Sequence, residues 1–314
     1  MNVKLPLILI AFTASAVSVS ANALVPINES FIGIATGNIN GQNTSPTPND
    51  YFDGTETWDA VTNAFGDRGY RGSTTPLSYS GMGGVGGSVD VFRDNSFTSS
   101  VLGNRASLTP TTQPTDLDYN ASGSLYFSFL VNFDGYTARV NDGVQQGVLV
   151  DFGHDTTGTS RDLGVHIGGA TGGSSSNFRL SLQTQGKKDT TQANWDLVDS
   201  GLDLASGTNL VQLRVIHSSA TPVGVDARYE LWLNPTSSSA TPDFVHEENL
   251  GLAINNSDFG FDSFGISQSL NGEQSILVDE LYLGETSGVI PEPSAYAAIA
   301  GLLSLGLVLT RRRI

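Results

Sequence analysis

Leu125-Tyr126-Phe127-Ser128-Phe129-Leu130-Val131-Asn132-Phe133 is the stretch whose reading decides the fold. Leu125, Phe127, Phe129, Val131 and Phe133 recur at every second position, with Ser128 and Asn132 on the other side. A period of two belongs to a strand with one face buried and one face wet. The same alternation recurs in Phe178-Arg179-Leu180-Ser181-Leu182-Gln183, in Val211-Gln212-Leu213-Arg214-Val215 and in Arg228-Tyr229-Glu230-Leu231-Trp232-Leu233. Further strands are expected at Ser88–Phe92, Gly147–Phe152, Leu163–Ile167, Asp262–Ile266 and Ser275–Leu283. Clusters of Gly, Ser, Thr, Asn and Pro, such as Gly169–Asn177 and Asn234–Asp243, separate them as turns. Trp58–Phe65 is the one candidate for a short helix before the C-terminal tail, and no internal repeat stands out. Many short strands with polar turns predict an all-β fold of two stacked antiparallel sheets, a sandwich or jelly roll. A membrane barrel would turn its apolar face to lipid. Here the wet faces carry Arg, Glu, Gln and Asn, so the apolar faces are read as an interior.

Composition narrows the function. The chain has 314 residues, 15 Lys and Arg against 31 Asp and Glu, a net charge of −16 and no cysteine. Such an acidic balance argues against nucleic acid as a partner, because binding it relies on clustered Lys and Arg. Without cysteine there are no disulfides, thiol chemistry or Cys-ligated zinc and iron–sulfur sites.

Both ends read as addresses. Lys4, the apolar run Leu5–Phe12 and Ala21-Asn22-Ala23 have the order of a secretory signal peptide, with cleavage expected after Ala23. At the other end Pro291-Glu292-Pro293 leads into an uncharged apolar stretch and then Arg311-Arg312-Arg313-Ile314. Prolines disfavour helix in the residue before them, so the approach is extended. The apolar stretch is short for a hydrocarbon core of about 30 Å. Its arginines are expected to stay cytoplasmic.

This combination resembles a PEP-CTERM sorting tail of Gram-negative bacteria. The resemblance covers about the last 25 residues. It implies processing by an exosortase-type membrane protease, in species that make extracellular polysaccharide, with Pro291, Glu292, Pro293, Arg311, Arg312 and Arg313 as the sorting signal. The expected division is a signal peptide over 1–23, a β-sandwich over 24–286 and a linker with the sorting motif over 287–293. A transmembrane helix over 294–310 and a basic cytoplasmic end over 311–314 complete it. The protein is thus expected to cross the inner membrane, to be held there transiently by the C-terminal helix, and then to reach the cell surface or extracellular space. The two ends hold Lys4, Arg311, Arg312, Arg313 and Glu292. Residues 24–290 therefore keep 11 basic and 30 acidic side chains, a net of −19.

The exported part also resembles the concanavalin A-like (laminin-G-like) sandwich domains. Asn28–Phe31, Gly37–Gln42, Ser124–Asn132, Ala227–Asn234 and Ser275–Thr286 carry that likeness, most typically the closing Val278-Asp279-Glu280-Leu281-Tyr282-Leu283-Gly284. It implies a jelly roll whose first and last strands are neighbours, so that the strand near Glu29–Ile34 pairs close to Ile276–Leu283.

Sites for chemistry are sparse. Glycoside hydrolysis usually takes two carboxylates about 5–9.5 Å apart. The E-x-D-x-x-E strand pattern of some glucanases of this fold is absent, and Asp279 and Glu280 are adjacent. They are read as a terminal strand with a satisfied acid. Asp151, His154, Asp155, Asp162 and His166 offer metal-ligand chemistry without diagnostic spacing, and are read as a polar hairpin. Asp116-Leu117-Asp118-Tyr119-Asn120 fails as an EF-hand, with Ala121 and Phe127 at the sixth and twelfth places. Acidic loops leave room for Ca²⁺, but no motif demands a cofactor. No G-x-S-x-G occurs, and Gly81–Gly87 has neither a lysine nor a following helix pattern. No catalytic residue is therefore assigned.

The best candidate for carbohydrate is Trp232. Alternation places it on a wet face beside Arg228 and Glu230, with Arg214 on a neighbouring strand. An aromatic platform flanked by polar groups suits a sugar. The alternative for the same residue is a tryptophan covered by a loop. The expected function is a non-catalytic, exported protein associated with polysaccharide. A hydrolase or lyase on the same sandwich, or an adhesive coat protein, are the alternatives.

Overall fold

The computed structural model describes residues 27–29, 31, 35–39, 58–60, 68–79, 82–83, 86–93, 104–108, 124–133, 147–153, 163–168, 178–186, 195–217, 227–237, 240–248, 263–269, 274–284 and 287. The expected signal peptide, sorting motif and transmembrane helix lie outside the described residues.

All regular structure among the described residues is strand. In chain order these are β1 (Ile27–Glu29), β2 (Gly37–Asn38), β3 (Asp59–Ala60), β4 (Arg68–Ser73), β5 (Ser78–Tyr79), β6 (Met82–Gly83), β7 (Ser88–Arg93), β8 (Asn104–Leu108) and β9 (Ser124–Asn132). They continue with β10 (Gly147–Gly153), β11 (Leu163–Gly168), β12 (Arg179–Gly186), β13 (Trp195–Asp203), β14 (Thr208–His217), β15 (Ala227–Leu233), β16 (Phe244–Glu248), β17 (Ser263–Ser269) and β18 (Gln274–Gly284).

Two large sheets form, antiparallel throughout. One has nine strands in the order β16-β15-β14-β9-β18-β7-β4-β2, with β1 also on β18. The other has seven, in the order β13-β12-β11-β10-β17-β8-β3. The alternating apolar residues meet between them. The Phe127 ring lies 5.0 Å from Phe152 and 6.2 Å from Phe264, both on the opposite sheet. One cluster joins Val89, Val131, Leu213, Tyr229 and Val278 of one sheet to Val150, Ile167, Leu182 and Ile266 of the other. Burying a side chain of this size contributes about 1.5–3 kcal/mol, so the inward rows supply most of the stabilisation.

The last strand is central. β18 pairs with β9 on one side. On its other side it pairs first with β7, over Gln274–Val278, and then with β1, where Ile27 faces Leu283 and Glu29 faces Leu281. The adjacency of first and last strands expected from the sequence is therefore present. Between the two partners the β9–β18 register shifts, from Asp279 to Tyr282, and Glu280 takes a positive φ of 52°. The extra residues of a bulge let a strand bend. Asp279 fastens the bend: its Oδ1 accepts the Glu280 N–H (2.8 Å) and its Oδ2 the Leu77 N–H (2.7 Å). Leu77 belongs to the connection from β4 to the β5–β6 hairpin, which crosses the outer face of the nine-stranded sheet. There it packs with Leu130, Leu210 and Tyr282 in a second, smaller apolar cluster.

The expected short helix at Trp58–Phe65 is corrected over its described part. Asp59–Ala60 is extended and pairs with Ser107 and Ala106 of β8. The buried Trp58 ring stacks on Phe31 at 5.7 Å. Ladder bonds and this ring contact override local preference. Residues 61–65 lie outside the described residues.

Candidate functional site

Trp232, Glu230 and Arg228 stand on the outer face of β15, since Ala227, Tyr229 and Leu231 fill the core. Register brings Arg214 of β14 opposite Glu230 and Gln212 opposite Trp232. The structure thus unites all four residues selected from the sequence. The charged three form a chain: Arg214 Nη1 donates to Glu230 Oε2 (3.3 Å), Arg228 Nε to Glu230 Oε1 (2.9 Å), and Arg228 Nη1 to Glu247 Oε1 of β16 (2.6 Å). The bond to Glu230 pushes the Arg228 guanidinium further up. The row is electroneutral, with two guanidiniums against two carboxylates.

Trp232 has no open stacking face. It is 6% exposed, and its Nε1 donates to the Ala240 carbonyl (2.8 Å). The turn after β15 covers it. That turn is pinned by Asn234, at φ 56°, whose Oδ1 accepts the Leu210 N–H (2.8 Å) and whose Nδ2 donates to Asn209 Oδ1 (2.9 Å). Of the two readings of Trp232, the geometry is that of the loop-covered tryptophan.

The other outer face, on the seven-stranded sheet, carries a second group. Asp151 of β10, His166 of β11 and Gln183 of β12 alternate with core residues Val150, Val165 and Leu182, so they sit on the side away from the core. All three are nevertheless buried. Asp151 is opposite Gly164, which is opposite Gln183, and His166 is one ladder step of two residues along. The glycines make this possible. A Cβ on Gly164 would lie 2.4 Å from the Val150 carbonyl and 2.9 Å from Asp151 Cβ, and one on Gly147 would lie 2.7 Å from His166 Nε2. All three values are inside contact distance. Burial pushes the His166 imidazole down to about 3, so it is neutral at physiological pH. Gln183 is 1% exposed, and neither its Oε1 nor its Nε2 has a hydrogen-bond partner among the described residues. Such an amide can accept at one atom and donate twice at the other.

Of the five residues weighed as metal ligands, only Asp151 and His166 are among the described ones, and no three ligating side chains come together there. Asp279 and Glu280 behave as expected for a satisfied terminal acid. Burial pushes Asp279 up to about 8, with the two backbone N–H bonds opposing. The sorting residues Pro291, Glu292, Pro293 and Arg311–Arg313 lie outside the described residues.

Gln183 was not singled out from the sequence, where it is one more polar residue on a wet face. The available signal was the outer face of β11, Gly164-x-His166-x-Gly168, in which two missing side chains flank a polar one. No protein-family model and no curated protein matches this chain. Among solved structures it is similar to the alginate lyase Aly36B, as a mutant in complex with alginate trisaccharide, with TM-score 0.42, 11% identity and coverage of 82% of this chain and 97% of that one. It is also similar to the lectin UEA-II complexed with galactose, with TM-score 0.39, 9% identity and coverage of 83% and 98%. The T. cruzi calreticulin globular domain gives TM-score 0.40, 12% identity and coverage of 73% and 84%. Likenesses at this level carry no functional weight.

Proposed function

We propose that this chain is an exported, exosortase-sorted protein with a concanavalin A-like jelly roll that associates with extracellular polysaccharide on the outer face of its seven-stranded sheet without cutting it. The observation that carries the reading is the Gln183 amide, buried on the non-core face with neither its Oε1 nor its Nε2 hydrogen-bonded among the described residues. A buried polar group without a partner costs about 1–3 kcal/mol. Sugar hydroxyls, which both give and accept hydrogen bonds, match an amide. The neutral His166 beside it adds a second polar group without adding charge. Hydrolysis of the usual kind needs paired carboxylates in reach of the substrate; of the described carboxylates on this face, Asp151 is buried, and Asp199 and Asp203 are both held by Arg179.

A second reading, a lyase, is favoured by the same His166 and Gln183. β-Elimination from a uronate takes a base for the proton beside the carboxylate, a donor to the carboxylate itself, and a proton for the glycosidic oxygen that departs as the double bond forms, which the base can return. A neutral imidazole and an amide N–H are groups of those kinds.

Sorting follows from the tail. Six residues, 285–290, separate the end of β18 from Pro291. They reach at most about 20–22 Å, so before processing the sandwich is held close to the membrane. Replacing Glu292 is expected to block processing and keep the protein on the cells; unchanged release would refute the sorting reading. Co-sedimentation with polysaccharide from the producing cells, followed in parallel by ultraviolet absorbance of an elimination double bond, tests the rest. Binding without new absorbance supports the binder. Binding with rising absorbance moves the assignment to the lyase, and no binding removes both.

A further inference from the structure

We propose a second binding site on the opposite side of the sandwich, on the outer face of the nine-stranded sheet, for a single hydroxyl-bearing unit of a neutral sugar. Its centre is one ladder row, Tyr282–Ser128–Gln212–Trp232, read straight across β18, β9, β14 and β15. Ser128 and Gln212 are buried, and Ser128 Oγ and Gln212 Oε1 have no hydrogen-bond partner among the described residues. In the next row Arg214 faces Tyr126, with its guanidinium carbon 5.3 Å above the ring. Its Nη1 is held by Glu230, but its buried Nε has no partner among the described residues.

Three neighbouring positions thus offer an acceptor, a hydroxyl and a donor, each unsatisfied. A ligand hydroxyl answers this set: it accepts from Arg214 Nε–H and donates to Gln212 Oε1. A net anion is not called for, because Glu230 and Glu247 already balance Arg214 and Arg228. The half-buried Tyr126 ring lies beside Arg214, while Trp232 and Tyr282, at the two ends of the row, are covered. Sugar rings present apolar C–H faces to a ring such as that of Tyr126. Two coverings meet over the row. Leu77 and Tyr79 pack across Leu130, Leu210 and Tyr282, and the Tyr79 hydroxyl donates to the Asn234 carbonyl (3.0 Å) of the turn that covers Trp232. Tyr126 and Arg214 are only half-buried, so the row opens on their side.

The test uses protein released from cells, titrated separately with D-glucose and D-galactose and followed by amide shifts of β9 and β14 and the Trp232 indole resonance. One sugar at least is expected to give saturable shifts there. Gln212→Met should weaken that binding by roughly tenfold, the loss of one hydrogen bond. Gln183→Met, on the opposite sheet, should leave it unchanged. If Gln212→Met does not fold, Arg214→Lys removes the Nε donor and should weaken binding similarly. No saturable shift with either sugar, or only an ordered water against Gln212, overturns the site. So does unchanged affinity in the folded variant. Loss in Gln183→Met instead would overturn this site and leave the seven-stranded face standing.

Discussion

Replacing Asp279 tests how the two ends of the chain are locked into one sheet. Its carboxylate holds two backbone N–H groups, those of Leu77 and Glu280, in a place with no solvent exposure. Asp279→Ala leaves both donors dry, and each unsatisfied donor costs about 1–3 kcal/mol. A loss of roughly 2–6 kcal/mol is therefore expected, a large part of a typical domain's stability. Asp279→Asn keeps the shape, but its amide can accept at one atom only, so about half that loss is expected. Ionisation adds a second signature. Burial raises the folded-state value from 3.8 to about 8. The unfolded chain then releases this proton first as pH rises. The group's stabilisation is complete below about pH 4 and is lost progressively up to about pH 8, at up to about 1.4 kcal/mol per unit. Urea unfolding at pH 5, 7 and 9 reads both effects. The wild type should weaken over that range, and Asp279→Asn should weaken less. A variant as stable as wild type at pH 5, or one with an identical pH slope, would refute the reasoning.

Gly164→Ala drives a Cβ to 2.4 Å from a backbone carbonyl that cannot move aside, so a drop of several kcal/mol is expected by thermal unfolding. Gly201→Ala meets open space and suffers only its positive φ of 72°, a cost of about 1–2 kcal/mol. Equal losses at the two sites would contradict the packing described. Phe127→Ala, in the centre of the inter-sheet aromatic contacts, should cost about 3–5 kcal/mol in the same assay. Trp232→Ala should destabilise by a similar amount while polysaccharide association per folded molecule holds; loss of association without loss of stability would restore Trp232 as a platform.

Local periodicity made the long strands legible. β9, β12, β14 and β15 each alternate cleanly because one face meets the core and the other does not. β4, β8 and β13 were missed. Arg68-Gly69-Tyr70-Arg71-Gly72-Ser73 and Asn104-Arg105-Ala106-Ser107-Leu108 carry few apolar residues, and their strand state comes from partners distant in sequence. β13 alternates poorly because its pairing with β12 is twice shifted. Leu130 shares the outer face with Ser128 and Asn132, and its apolar side chain is matched there by Leu77, which packs on it from outside the sheet. The same kind of covering lies over Trp232, as the loop-covered alternative had it. Alternation tells which face a residue takes, but only tertiary structure tells whether another segment lies over that face. Gln183 was invisible as a site for that reason, and His166 was weighed only as a metal ligand in a polar hairpin.

Amide hydrogen exchange, recorded with and without polysaccharide from the producing cells, locates the bound face directly. Slower exchange confined to 163–168 and 179–186 is the result expected from a ligand on Gln183 and its neighbours. Unchanged rates there, with polysaccharide demonstrably bound, would contradict the assignment of that face.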